Sequence, residues 1–364
     1  MKKKTIYNRN VKPGFAQYKN MVREFRPYLM STNDENFKNK IVNTDRLGFR
    51  KTFYKNKLVG IDEASRIKKE QNIIVGNSTA FGVYTTSDKK TIQSYLSAMG
   101  KFCYSMAIRA GTSHQELLSF IKFKRFFPRI KNIIIISGLN DLVLAADKNS
   151  KYYNDFGGVI DNEKIAYDFW MQTNLFDNVS WALGRNNFFY YVNVLCKKFK
   201  LFRFFLSLIF SNLKTNKYKK KMKNNLKQNY DKKLNNIKKI IENDFQTWSI
   251  IQKQMKVNVI YLFQPVITWT KRKPTKYERD ITRIEKSRFT NYFEKDFTKK
   301  KIYLKHSYFI KQLCKKYSIK FFDLNLTVLD PKKNIDFFID TVHLSDYGNL
   351  CIAKTIYKIL KKKL

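Results

Sequence analysis

The chain has 364 residues, 43% of them hydrophobic and 16% aromatic, so it can bury a sizeable core and is not wholly disordered. Seventy-two Lys and Arg face 29 Asp and Glu, a formal net charge of +43 that by itself points to polyanions. Lys, Asn, Ile, Phe and Tyr are all spelled by A/T-rich codons, however, and Arg, which grips phosphates and reads bases, is scarce beside Lys. Base composition therefore accounts for much of the charge, and nucleic acid is disfavoured as a partner.

The basic N-terminus, MKKKTIYNRN, is followed by no apolar run, so no signal peptide is expected. No apolar stretch reaches the roughly 18 residues that a spanning helix needs. Cys103, Cys196, Cys314 and Cys351 are far apart in apolar surroundings and read as reduced core residues of a cytoplasmic chain. Residues 1–70 mix aromatic and basic residues with weak periodicity. Turn chemistry over Asn43 to Arg50 precedes a short strand pattern, KTFYKNKLVGI, and the region reads as an N-terminal, partly β extension.

From residue 71 the pattern changes to short β-branched runs alternating with helical stretches, the mark of a parallel α/β sheet. The runs are Asn72–Val75, Phe102–Ile108, Asn132–Ile136, Val257–Phe263 and Lys320–Asp323. The third is apolar like a central strand buried on both faces. Between about 150 and 225 the chain fits no simple βαβ step and reads as a helical insertion. Its centre, Phe188 to Phe210, is aromatic and carries Lys197, Lys198, Lys200 and Arg203. It reads as a helical excursion packed on the core or, alternatively, as a patch lying on an anionic membrane surface. The Lys- and Asn-rich tract from Lys214 to Lys233 reads as a solvated face or exposed loop. Apolar residues spaced by three and four from Leu226 to Met255 predict a long amphipathic helix feeding the fourth strand. A last helix is predicted after Ser345, its natural N-cap.

Three segments carry chemistry, each just after a predicted strand, where open parallel sheets place their sites. The first, Gly76-Asn-Ser-Thr-Ala-Phe-Gly82, sets Ser78 at a strand-to-helix turn, where a serine is either an N-cap or a nucleophile beside an anion-holding N–H. The second, Ser137-Gly-Leu-Asn-Asp141, offers Asn140 as an amide donor or as the closure of an Asx-turn. In the third, Asp336 to Gly348, Asp340 and His343 lie three apart, so the carboxylate can accept from one imidazole nitrogen and leave the other to take a serine proton. Of the three histidines, His306 lies in a basic, aromatic helical pattern and reads as a surface or packing residue. His114 lies beside a loop that could reach the site, and His343 alone has a carboxylate at useful spacing. No metal-ligand spacing, Walker loop or dinucleotide glycine pattern is present, so neither metal nor cofactor is expected.

In this order the segments resemble the SGNH (GDSL-like) hydrolase family over roughly residues 71–145 and 255–364. The resemblance implies a three-layer α/β/α, flavodoxin-like domain at 71–364 and an esterase working through an acyl-serine. Ser78 would be the nucleophile and its N–H one oxyanion donor, Asn140 a second donor, His343 the base and Asp340 its orienter. Leu344 and Gly348 fit the family's His-Leu-x-x-x-Gly ending, and Gln264-Pro265 is similar to a feature near family sites. Asn77 stands where the name-giving motif has Asp. For the remaining oxyanion N–H, Gly111 is the first candidate, with Ala110 and Ala107 as alternatives. The Asn43 to Arg50 segment is similar to one that precedes the hydrolase domain in bacterial relatives. The substrate implied is a small ester, acetyl on a carbohydrate. The alternatives are a lipid acyl hydrolase peripheral to a membrane and a polyanion-binding protein on an inactive scaffold.

Overall fold

The computed structural model describes residues 18, 21, 23–26, 28–146, 230–288, 299–327 and 334–361. Cys196, the expected insertion at about 150–225 and its aromatic centre lie outside them, as does the basic tract up to residue 229.

Among the described residues nine strands form three sheets. Two hairpins open the chain, β1 (Arg23–Arg26) with β2 (Met30–Asn33) and β3 (Thr52–Tyr54) with β4 (Lys57–Val59). The second turns on Lys55 and Asn56, both left-handed at φ +46° and +60°, the two-residue connection whose twist suits a hairpin. The main sheet comprises β5 (Gln71–Gly76), β6 (Cys103–Ser105), β7 (Ile130–Ser137), β8 (Asn258–Phe263) and β9 (Lys320–Asp323). All neighbours pair parallel in the order β6-β5-β7-β8-β9. The five predicted strands are these five, arranged as in flavodoxin-like sheets, so the order reverses between β5 and β7.

The helices are α1 (Ile61–Ser65), α2 (Ser78–Phe81), α3 (Ile92–Ala98), α4 (Ser113–Phe123), α5 (Asn140–Ala146), α6 (Tyr230–Met255), α7 (Lys276–Arg288), α8 (Lys300–Lys316), α9 (Leu324–Thr327) and α10 (Asp346–Lys361). Because strand side chains alternate between faces, the sheet feeds two cores. Ile73, Val75, Ile133, Ile135, Val259 and Tyr261 join the core covered by α4, α6 and α8, where Phe120, Phe245, Trp248 and Ile310 pack. Ile74, Ile134, Ile136, Ile260 and Leu262 join the other core, with Ile92 and Leu96 of α3 and Ile352 and Ile356 of α10. The expected three-layer α/β/α architecture is present. Residues before 70 enter both cores, Leu29, Phe49 and Ile61 on the first face and Tyr18, Met21 and Val42 on the second.

A buried amide ladder crosses the sheet near its amino end. Asn258 Nδ2 donates to Asn132 Oδ1 (3.0 Å), Asn132 Nδ2 to Asn72 Oδ1 (2.7 Å) and Asn72 Nδ2 to the Phe102 carbonyl (2.8 Å). The three asparagines are register partners, so a slip by one residue would leave buried amides unpaired. At the last helix, the Ser345 hydroxyl takes the Gly348 N–H (3.0 Å), the cap expected of it. Cys103, Cys314 and Cys351 are buried and outside any disulfide, and among the described residues no helix is long and apolar enough to cross a membrane.

At Gly76, the last residue of β5, φ is +155°. A Cβ there would stand 2.4 Å from the Ile136 carbonyl oxygen and 2.7 Å from Ala80 Cβ. Strand and following turn therefore touch with no room for a side chain. Gly76→Ala is expected to cost on the order of 1–3 kcal/mol, read as a lowered melting temperature; an unchanged value would show that this contact relaxes freely.

Candidate active site

The parallel sheet delivers its loops to one edge. Gly76 pairs with Ile136, and the Ile108 N–H donates to the Gly76 carbonyl (2.9 Å), so the residues after β5, β6 and β7 leave the sheet together. Ser78 opens α2 immediately beyond β5. The preceding Asn77 caps that helix by accepting the Thr79 N–H (3.0 Å), so capping falls to Asn77 and leaves the Ser78 hydroxyl for other partners. Asn77 Nδ2 also donates to Gln264 Oε1. A carboxylate at 77 would accept only, and would face the Gln264 oxygen without a proton to offer.

Ser78 Oγ lies 2.8 Å from His343 Nε2, and His343 Nδ1 lies 2.7 Å from Asp340 Oδ2. The other carboxylate oxygen accepts the backbone N–H groups of Val342 (2.9 Å) and His343 (2.7 Å), so one side chain folds the loop and aims the ring. A carboxylate cannot donate, so Nδ1 carries the hydrogen and Nε2 presents its lone pair to the serine. The Asp340 and His343 side chains are 9% and 16% exposed, enough shielding to keep their interaction strong while Ser78 stays reachable. Tyr84, at φ +69°, meets the His343 ring edge to face at 5.1 Å.

The loop before His343 has an external anchor. Glu278 of α7 is fully buried and accepts the N–H groups of Phe337 (2.8 Å) and Phe338 (3.0 Å) on Oε1. Its Oε2 takes the Thr275 N–H (2.8 Å) and an ion pair with Arg272. The Tyr277 hydroxyl reaches the Ile339 carbonyl (3.1 Å), and the Ile267 N–H reaches that of Thr341 (3.0 Å).

On the opposite arm, Asn140 Nδ2 donates to the Gly111 carbonyl (2.7 Å), which leaves its second amide hydrogen for a substrate. The three candidate backbone donors of this arm differ in their partners. The Gly111 N–H is consumed by the Ile108 carbonyl (2.9 Å) in a tight turn, whereas the Ala110 N–H meets no acceptor among the described residues. Ala110 stands at φ +57°, a left-handed conformation that turns its N–H out of the local pattern. A glycine drew the sequence reading, but N–H direction follows backbone torsion rather than side-chain identity. The other alternative, the Ala107 N–H, is used by Ser105 Oγ (3.3 Å).

Behind this arm lies a polar network absent from the sequence reading. Asp141 accepts the Ser113 N–H (3.2 Å) and hydroxyl (3.2 Å), and Asp244 of α6 lies 3.0 Å from the same hydroxyl and 2.8 Å from His114 Nδ1. The hydrogen bond to Asp244 holds the His114 pKa above its usual value. Thus His114 pairs with Asp244 and serves the scaffold behind Asn140. His306 is a packing residue: burial lowers its pKa to about 4, so the ring is neutral, and it packs against the rings of Phe263 and Phe309. Among the described residues no group of three or more His, Cys, Asp or Glu side chains is placed to hold a metal ion.

No family model matches the chain, and no curated protein does either. Among solved structures it is similar to an acetyl xylan esterase (13% identity, 80% of this chain and 99% of the other, TM-score 0.38). It is similar also to a GDSL-like lipase from Bacteroides thetaiotaomicron (13%, 83% and 93%, TM-score 0.37) and an extracellular lipase from Streptomyces rimosus (9%, 80% and 99%, TM-score 0.36). At these identities and scores the likenesses decide nothing about chemistry, which rests on the residues and distances above.

Glu116, in the same network, accepts the Ser137 hydroxyl (2.9 Å) and is fully buried. Burial, with the nearby charges of Asp141 and Asp244, pushes its pKa well above the usual 4.5. The folded state then binds the proton more tightly than the unfolded chain, so this group's stabilisation is complete below pH 4.5 and declines as pH rises towards its folded value. Glu116→Gln keeps an acceptor for Ser137 without that dependence. Its melting temperature should gain on wild type steadily as pH is raised above about 4.5; parallel curves would contradict the raised value.

Proposed function

We propose that this protein is a serine ester hydrolase of the SGNH type, acting through an acyl-enzyme at Ser78. The observation that carries the reading is the continuous Ser78–His343–Asp340 relay at 2.8 and 2.7 Å. A free serine hydroxyl is too weak a nucleophile at neutral pH and needs a base in hydrogen-bond contact. His343 Nε2 takes the hydroxyl proton as Oγ attacks the ester carbonyl, and Asp340 stabilises the imidazolium that forms. The carbonyl oxygen gains negative charge, for which we assign the N–H groups of Ser78 and Ala110 and the free amide hydrogen of Asn140. Collapse breaks the ester C–O bond, and His343 returns the proton to the departing alcohol. Water, deprotonated by the same ring, then releases the acid and restores Ser78.

For the substrate we adopt a small acyl group, acetyl on a carbohydrate, as the family resemblance implies. The lipid-hydrolase alternative drew on Phe188 to Phe210, which lie outside the described residues, and no described feature favours it.

The test is hydrolysis of p-nitrophenyl acetate and of longer-chain esters by wild type and Ser78→Ala. Wild type should turn over acetate fastest and react covalently with a fluorophosphonate at Ser78, while Ser78→Ala should lose on the order of 10⁴-fold or more in kcat. Asp340→Asn should fall by a comparable factor, about 10³–10⁴, because the ring loses its orienting charge. Preference for long chains would move the substrate to lipids. Absence of both turnover and labelling in wild type would refute the esterase reading and favour a binding protein.

A further inference from the structure

The Asn43 to Arg50 segment lies outside the serine relay, yet its last residue reaches the nucleophile's own helix. Arg50 is completely buried. Its Nη1 donates to the Gly82 carbonyl (2.7 Å), to the Tyr18 hydroxyl (2.8 Å) and, more weakly, to the Phe81 carbonyl (3.3 Å). Nη2 takes the Ile41 carbonyl (2.8 Å), and Nε donates to Asp88 Oδ1 (2.7 Å). Phe81 and Gly82 close the four-residue helix that Ser78 opens, and the N–H groups of Gly82 and Val83 both return to the Ser78 carbonyl (3.1 Å each). A guanidinium at the carbonyl end of so short a helix thus fixes the turn that sets the serine backbone.

The same contacts extend to the base. Asp88 is held from the segment's other end by Asn43 Nδ2 (2.7 Å) and the Asn43 N–H (3.3 Å). Between Gly82 and Asp88 runs the turn carrying Tyr84, whose ring meets His343. Thr85 secures that turn by donating to the Gly82 carbonyl (2.9 Å). Thr86 secures it through its N–H to Asp346 Oδ1 (3.0 Å), three residues past His343. The charges facing Arg50 and Asp88 are therefore each other's, with Tyr18 as the remaining titratable partner of the guanidinium.

We infer that Arg50 and Asp88 are positioning residues for the Ser78–His343 pair. Through them the N-terminal segment sets the end of the nucleophile helix and the Tyr84 turn against the base, so the segment belongs to the active site. The inference rests on the serine-hydrolase reading above.

The experiment compares Arg50→Lys and Asp88→Asn with wild type in the full chain, each checked for folding by circular dichroism and melting temperature. Arg50→Lys keeps the charge but lacks the fork that holds Asp88 and three carbonyls at once; Asp88→Asn keeps an acceptor for Arg50 and removes the charge. In folded variants, kcat on p-nitrophenyl acetate and the rate of fluorophosphonate labelling of Ser78 should fall together by about 10- to 100-fold, with KM little changed. The limb of the kcat/KM–pH profile that reports the base should also shift. Folded variants whose kcat and labelling stay within about twofold of wild type overturn the positioning role, and so does failure of both variants to fold, since the pair would then serve stability alone. If wild type neither turns over esters nor labels, the hydrolase reading falls and this inference falls with it. A wild type that labels beside variants that label equally fast removes only the inference.

Discussion

The register of β5 against β7 governs everything at the carboxyl edge of the sheet. Ser78 follows one strand and Asn140 the other, and a slip of one residue would move the two apart by about 3.3 Å while turning core side chains to the wrong face. Hydrophobic matching alone holds such a register loosely, since Ile133 to Ile136 are four identical side chains. The asparagine ladder removes that degeneracy, because Asn72, Asn132 and Asn258 can satisfy one another only when directly opposed. A polar feature at the amino end of the sheet thus secures the geometry of a site at the other end.

Parallel strands also explain why the remaining parts arrive on loops. Each crossover returns a helix across a face, and the sheet's carboxyl edge collects the connections. The loop bearing Asp340 and His343 is not flanked on its amino side by a described strand, so its own bonds, such as the Ile339 N–H to the His343 carbonyl (2.9 Å), are supplemented by carboxylates that take its backbone donors. Glu278 binds two consecutive N–H groups, and Asp340 continues the pattern with two more. Both carboxylates do what a strand neighbour would do for a regular segment, absorbing backbone donors that would otherwise be buried unpaired.

What could be read in the sequence follows from how far apart the interacting residues are. The strands were visible because burial on both faces leaves an unbroken apolar run, and α6 because its apolar stripe repeats every three or four residues. Asp340 and His343 were visible because their pairing is local. Asp244 and Glu278 gave no such signal: the site elements they hold, Ser113 and Phe337, lie 131 and 59 positions away, and alone each is one more charged residue in a charged chain. The choice between Gly111 and Ala110 was not legible for a different reason. It depends on the backbone torsion of one turn, about which the identity of an alanine says nothing.

These carboxylates also change how the net charge should be understood. Asp45, Asp88, Glu116, Asp141, Asp244, Glu278, Asp323 and Asp340 are all buried, while among the described residues Arg50 is the only buried Lys or Arg. The chain's scarce acids are thus drawn inward, where they bind backbone N–H groups, hydroxyls and rings. The surface is left more basic than the composition alone implies. Burial leaves the formal net charge unchanged and decides only where these acids lie, as internal acceptors. The same placement ties stability to protonation, because acids buried close together, as Glu116, Asp141 and Asp244 are, cannot all ionise without mutual repulsion. Protonation in this cluster therefore bears on the scaffold behind Asn140.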